Sequence, residues 1–358
     1  MQEAIIQLTA TAAENGLGWE AARLNNRHLV PVTHCNKFHA DDVTSAAVLL
    51  ELGAEAIMRT RQQNIIDGAE FVFDVGRWYN PMENKFDHHQ FMNGDPQNPR
   101  RDGRNLSSIG MIWGHYGGYF VMKYLEETQP LEVMTPQLVW KLWNHVDTTH
   151  IRWIDQNDTS EPLDRSDPAY EWNQQQYLSV GIGYARIINF LNLRKAPVND
   201  RNYYFDAAVR FARHTLKNVI EEALQRHLAE QYILASLANS KKHKLQFVVF
   251  PDFCPGWIDA ILADPDCDDI QFGIWPDEDE ETNESYFMMQ AVPPSAVNMK
   301  GQRCAFPLEW RGHVTSDTLQ VASDVWTLDF VHSNGFLAKA GNLEDAVKAV
   351  RKAIWMKK

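Results

Sequence analysis

Three consecutive residues, Asp87-His88-His89, set one carboxylate beside two imidazoles, and Asp74 stands thirteen residues before Asp87 at the end of the apolar run Phe71-Val72-Phe73. Neighbouring side chains in an extended segment point to opposite sides. One ion therefore cannot easily take all three, whereas a centre with two ions can. More carboxylates and imidazoles gather upstream, where His34, His39, Asp41 and Asp42 fall within nine residues. This donor set is rich in aspartate and too large for one ion, so it points to a divalent-cation centre. A closed structural zinc site draws more often on cysteine and is tetrahedral.

The flanking patterns indicate what positions these groups. Residues 70–75 read as a buried strand that delivers Asp74 at its C-terminal end, the place where open parallel sheets hold ligands. Residues 29–33 read as another strand, with Pro31 weighing against a central place in the sheet. After Asp42 the run VTSAAVLLELGA turns helical, which puts Asp41 or Asp42 at the N-cap or in the first turn. With a further strand at 55–60, elements alternate from 28 to 90 as in a doubly wound α/β sheet. Residues 91–105, rich in Gly, Pro and Arg, predict a mobile loop beside the site. A helix over 106–127 starts at Ser107 or Ser108 and carries His115, either packed or facing substrate. Another covers 136–146 and closes on Asp147.

Seven ordered segments, VTHCNKFHADD, VFDVG, YNPMENKFDHHQ, LSSIGMIWGHYG, MMQAVP, PLEWRG and FVHSNGF, resemble the MYG exonuclease family (melanocyte proliferating gene one). That family is a branch of the DHH phosphoesterase superfamily. The likeness runs from about residue 30 onward, and the order of so many segments makes it specific where a lone DHH triplet would be weak. It implies a DHH-type N-terminal domain with a mostly parallel sheet, and a smaller α/β C-terminal domain joined by a long helix. It also implies manganese-dependent phosphodiester hydrolysis, with 3′→5′ exoribonuclease activity as the expected role.

Phosphodiester hydrolysis needs an activated water, neutralised non-bridging oxygens and a stabilised leaving oxygen, and two divalent ions about 3.5–4 Å apart can supply all three. On the family's pattern Asp74 would bridge, with His34, His39 and Asp41 completing one ion's set and Asp87, His88 and Asp147 the other's. Two manganese ions fit the mixed nitrogen and oxygen donors, which also tolerate Mg2+, Zn2+ or Co2+. His89 and Asp42 are the catalytic candidates: His89 would orient or protonate the scissile phosphate, while Asp42 has a plainer alternative as a helix cap. At Asp147 the chain reads VDTTH where relatives show VDAIDNG, so Asp155 competes for the same role; Asp147 is favoured because it closes a helix. The resemblance further implies that His115, Arg311, His332, Ser333 and Gly335 contact substrate. The Gly-Gly that commonly follows in relatives is absent after Phe336, and Lys339 could take over an anion-binding part.

Composition bounds the rest. With 44% apolar and 23% charged residues the 358-residue chain is a soluble globular protein with room for two cores. No apolar run approaches the eighteen or so residues of a membrane span. The first residues, with an early glutamate and no basic cluster, lead us to expect no secretory signal, and Cys35, Cys254, Cys267 and Cys304 show no paired spacing; a cytoplasmic setting is expected. A net charge of −13 argues against gripping long nucleic acid. Short single-stranded RNA or DNA is the expected partner, with small nucleotides as the rival substrate and a metal-stabilised binding module as the reading from another class. A homodimer is possible. Domains are expected at 1–200 and 241–358, linked by a helix over 201–240 that follows a lead-in helix at 1–27 and an irregular stretch at 156–200. In the second domain, strands are expected at 245–250 and 286–292, with a solvated acidic loop between 264 and 284.

Overall fold

The computed structural model describes residues 28–91, 104–130, 133–193, 198–312 and 328–357. The expected lead-in helix and most of the expected loop at 91–105 lie outside the described residues. The chain forms two compact units, Met1–Ala223 and Leu224–Lys358.

Unit 1 is built on a five-stranded sheet in the order β2-β1-β3-β5-β4. Its strands are β1 (Val32–Thr33), β2 (Met58–Arg59), β3 (Val72–Phe73), β4 (Tyr79–Asn80) and β5 (Lys85–Phe86), all parallel except the edge strand β4. Pro31 does not exclude β1 from the centre, because it precedes the strand and offers its carbonyl, which accepts from Met58 N at 2.9 Å. Helix α1 (Ala40–Glu51) follows β1 and is buried on almost every side. Its small residues Ala46 and Ala47, both fully buried, permit close packing all round. Helix α2 (Gln63–Gly68) links β2 to β3, and α3 (Ser108–Thr128) packs Ile109, Ile112, Trp113 and Phe120 into the same core.

Beyond α3 come α4 (Pro136–Val146), a π-helical turn at Asp147–Ile151 and α5 (Arg152–Asp158). The stretch expected to be irregular is instead largely helical. It holds α6 (Tyr170–Gln176), a π-helical segment at Tyr177–Tyr184 and α7 (Ala185–Phe190). The wider π turns shift the phase of the side chains, so no steady 3.6-residue period shows in the sequence.

Helix α8 (Val198–Lys242) is continuous, and the division between the units falls within it. Its N-terminal half buries Phe205, Ala208, Ala212, Leu216 and Ile220 in unit 1; its C-terminal half gives Ile233 and Leu237 to the core of unit 2.

Unit 2 has a second five-stranded sheet, mostly antiparallel, in the order β6-β7-β8-β10-β9. These strands are β6 (Phe247–Val249), β7 (Phe272–Glu278), β8 (Ser285–Ala291), β9 (Phe330–Val331) and β10 (Leu337–Ala340). Alternating residues divide between its faces: Phe247, Phe272 and Ile274 meet α10 (Leu343–Lys357), whereas Val248 and Trp275 join Ile233 and, on α9 (Trp257–Ala263), Trp257 and Ile261. The acidic stretch is thus not all loop. Phe272 to Trp275 form the buried half of β7, and the acids Asp277 and Glu278 sit on its exposed end. Among the described residues no helix is long and apolar enough to cross a membrane.

Candidate metal centre

Strands β1, β3 and β5 are adjacent and parallel, so the residues that follow them, His34, Asp74 and Asp87, leave the same sheet edge in a row. The backbone turns sharply there: Asp74 adopts φ 54°, a left-handed conformation that aspartate tolerates better than most residues. Its N–H still bonds Phe86 O at 3.1 Å, which fixes it to the β5 strand carrying Asp87. Helix α1 brings the remaining acids. His39 is its N-cap, and Asp41 and Asp42 occupy the first turn. Asp42 Oδ1 accepts from His39 N at 2.7 Å, which makes Asp42 a capping residue as well as a member of the cluster.

Asp74 is the hub. Its Oδ2 lies 3.0 Å from His34 Nε2, while its Oδ1 lies 3.4 Å from His88 Nε2 and accepts from Ser108 Oγ at 3.2 Å. The two oxygens therefore face different sets of donors. Among the described residues, candidate ligand atoms fall into four overlapping groups, each within 4.8 Å: Asp74, Asp87, His88 and His89; His34, His39 and Asp74; His39, Asp41 and Asp158; and Asp41, Asp42 and Asp74. Asp74 belongs to three of the four, as a bridging carboxylate should.

The polar atoms test whether cations fit. Among the described residues, both carboxylate oxygens of Asp41 and Oδ2 of Asp42 are buried without a hydrogen-bond partner. Such atoms are costly unless something else satisfies them, and a divalent cation does so. Asp87 differs. Its Oδ2 accepts from Arg77 N at 2.5 Å and its Oδ1 from His89 N at 3.2 Å, with His89 Nδ1 2.6 Å from Oδ1, so it holds the His89 ring in place.

Burial works against charge on these groups, and the neighbours decide the outcome. His34 is opposed by burial but lifted to about 8 by its bond to Asp74 and the charge of Asp42. His88 is likewise opposed by burial and carried to about 10 by Asp158 and Asp74. Burial resists ionisation of Asp74, yet His34 and His88 hold its carboxyl well below the usual range. Asp41 moves the other way, pushed well up by burial and then by Asp158, Asp74 and Asp42. Burial raises Asp42 to about 7 against the pull of His34. So many acids share this volume only by holding protons or by binding cations.

Eight of the expected residues come together here: His34, His39, Asp41, Asp42, Asp74, Asp87, His88 and His89. Asp147 does not join any of the four groups. It follows α4 at the π-helical turn, and the added residue of that turn rotates the chain beyond it. Asp155 does not join them either: its Oδ1 accepts from Ser107 N, Ser107 Oγ and Gly110 N at 3.1, 2.8 and 3.0 Å, capping α3 from outside. The acid that does reach the cluster is Asp158, whose Oδ2 lies 3.1 Å from His88 Nε2. Sequence reasoning missed it and Ser108. The signal was present as the second acid of IRWIDQND, one helical turn beyond Asp155.

His115 pairs with Tyr79 Oη at 3.2 Å and meets the Phe86 ring edge-on, so it props the strand that delivers Asp87. In unit 2, Arg311 Nε donates to Phe306 O at 2.9 Å, and a Cβ on Gly335 (φ 72°) would fall 2.5 Å from that nitrogen. The close approach that Gly335 permits is thus to Arg311. His332 Nδ1 accepts from Asn334 N at 3.1 Å, its ring 4.6 Å from that of Phe336, with Ser333 between them on the same turn.

A family model named for the MYG1 exonucleases, and described as an uncharacterised protein family (UPF0160), matches residues 31–354. The chain belongs to that family. The resemblance drawn from its ordered motifs therefore holds. A "MYG1 protein" of Dictyostelium discoideum is 24% identical over 345 residues, covering 90% of this chain and 96% of the relative. A "MYG1 exonuclease" of Homo sapiens is 24% identical over 343 residues, covering 89% and 84%. A solved pGpG-specific phosphodiesterase, PggH from Vibrio cholerae, aligns at 15% identity over 93% of this chain and 98% of its own, with a TM-score of 0.22, too low to bear on the fold. Family membership makes the chain a hydrolytic enzyme of the nuclease class, and its acid and imidazole cluster is suited to metal ions.

Proposed function

We propose that this enzyme removes nucleotides from the 3′ end of short single-stranded RNA, using two divalent cations, manganese foremost, held around Asp74. The observation that carries this reading is the two-sided Asp74 carboxylate, set among the buried oxygens of Asp41 and Oδ2 of Asp42, which lack hydrogen-bond partners among the described residues. When bound, the cations would supply an activated water and neutralise the phosphate oxygens. His34, His39 and Asp41 would hold one ion, and His88 and Asp158 the other, with Asp74 between them. His89 is half-exposed, and its bond to Asp87 raises its affinity for a proton, so its free nitrogen can donate to the phosphate or to the leaving oxygen.

A net charge of −13 favours few phosphate contacts and hence short substrates. It also supports a second reading, a phosphohydrolase for small nucleotides or oligonucleotides of very few units. A length series tests both: a nuclease still degrades a chain of about twenty nucleotides, and a small-nucleotide enzyme does not. Asp74→Ala should abolish turnover without unfolding the protein; full activity in that variant would overturn the assignment.

A further inference from the structure

Beside the cation centre lies a cavity of about 380 Å3 whose wall includes Asn36, Lys37 and Phe38, the residues that join His34 to His39. We infer that it is a nucleotide-binding subsite that takes the residue of the substrate strand next to the scissile phosphate. The inference rests on the phosphodiester reading above.

The volume lies at the lower end for small-molecule sites and suits one nucleotide. Its walls offer what a nucleotide requires. Lys37 and Arg201 bring two cations to a chain that is otherwise strongly acidic, and either can meet a backbone phosphate. Tyr204 supplies an aromatic face for the base, and the exposed Asn189 amide can pair with a base edge.

The wall is also held in place. Asn192 clamps the Phe38 peptide from both sides, accepting from Phe38 N at 2.9 Å and donating to Phe38 O at 2.7 Å. Arg59 Nη2 donates to Asn36 O at 2.9 Å, and its guanidinium lies over the Phe205 ring, 4.4 Å from the centroid. Phe38 and the ligand His39 are successive residues, about 3.8 Å apart between Cα atoms. A nucleotide seated here therefore touches the loop that carries two of the candidate ligands. Unlike a surface patch, the cavity couples substrate length to the geometry of the centre.

The test pairs Tyr204→Ala and Arg201→Gln with Tyr204→Phe, which keeps the aromatic face. Two readouts are taken on each protein loaded with manganese: kcat/KM on a pentanucleotide relative to that on the p-nitrophenyl ester of thymidine monophosphate, and calorimetric binding of adenosine monophosphate. The ratio should fall about tenfold in Tyr204→Ala and Arg201→Gln, the scale of one lost stacking or phosphate contact, with weaker binding of the monophosphate. Tyr204→Phe should match the wild type. An unchanged ratio and unchanged binding in both variants overturn the subsite. Should the wild type cleave neither substrate, the phosphodiester reading fails, and the binding arm alone still decides the cavity: loss of binding in the variants supports it, and equal binding refutes it.

Discussion

Replacing Asp155 with alanine should destabilise unit 1 without touching the cation centre. The Asp155 carboxylate is 1% exposed and takes three donors at the start of α3: Ser107 N, Ser107 Oγ and Gly110 N. Ser107 is the N-cap, yet its own side chain caps nothing, so the buried first turn of α3 depends on this acid from α5. Each donor left buried and unpaired costs about 1–3 kcal/mol, and only the hydroxyl can turn elsewhere. The expected loss is about 3–5 kcal/mol, a large share of a domain's usual ~5–15 kcal/mol. Urea unfolding followed by tryptophan fluorescence reads it as a midpoint lowered by about 1–2 M. Asp155→Asn, which keeps an acceptor oxygen, should lose far less. Because a Cβ on Gly110 would collide with the same carboxylate, Gly110→Ala should be destabilising too, and its cost should not add to that of Asp155→Ala. A loss below about 1 kcal/mol in Asp155→Ala would refute the capping role.

Asp158→Ala should weaken manganese binding at least tenfold with little change in stability, whereas Asp147→Ala should leave affinity as it is; calorimetry on both variants distinguishes them. His150 is buried against Tyr184, and that burial pushes its imidazole down from 6.5 to about 4. The unfolded chain therefore takes the proton first as pH falls below 6.5. The stability associated with His150 is complete above that value and declines by ~3 kcal/mol on approaching pH 4. His150→Phe should flatten that part of the pH profile, and an identical profile would contradict the assignment. Glu51 is buried at the end of α1, paired with Arg213 and with Lys217 at 3.0 Å. Glu51→Ala should cost about 3 kcal/mol in a melt, and Lys217→Ala less, since Arg213 still pairs with Glu51 and the exposed Glu127 can return to water.

The centre was legible where ligands follow strands. His34 and Asp74 each stand after a short apolar segment, and parallel neighbours must release such residues at one edge; Asp87 showed only through the Asp-His-His run, because its strand β5 is two residues long and half of it is Lys85. The acids of α1 were legible as well, because a helix that follows β1 directly must present its first turn there. Asp158 was hidden because its place depends on the phase of α5, which a π-helical turn resets between Asp147 and Ile151. On α5, Asp155 and Asp158 lie three residues apart, about 60° around the axis. That small rotation sends one to the start of α3 and the other to His88. The same loss of phase concealed the helices between Tyr170 and Phe190. In unit 2, the acids at the exposed end of β7 masked the four buried residues that begin it.

Metal stoichiometry tests the centre most directly. The chain, stripped of cations and titrated with manganese in a calorimeter, should bind two ions, with elemental analysis agreeing after dialysis. Asp74→Ala should lose at least one of them while its circular dichroism stays that of the wild type. Equal stoichiometry and affinity in the two proteins would show that Asp74 joins no cations, and the centre as described would be wrong.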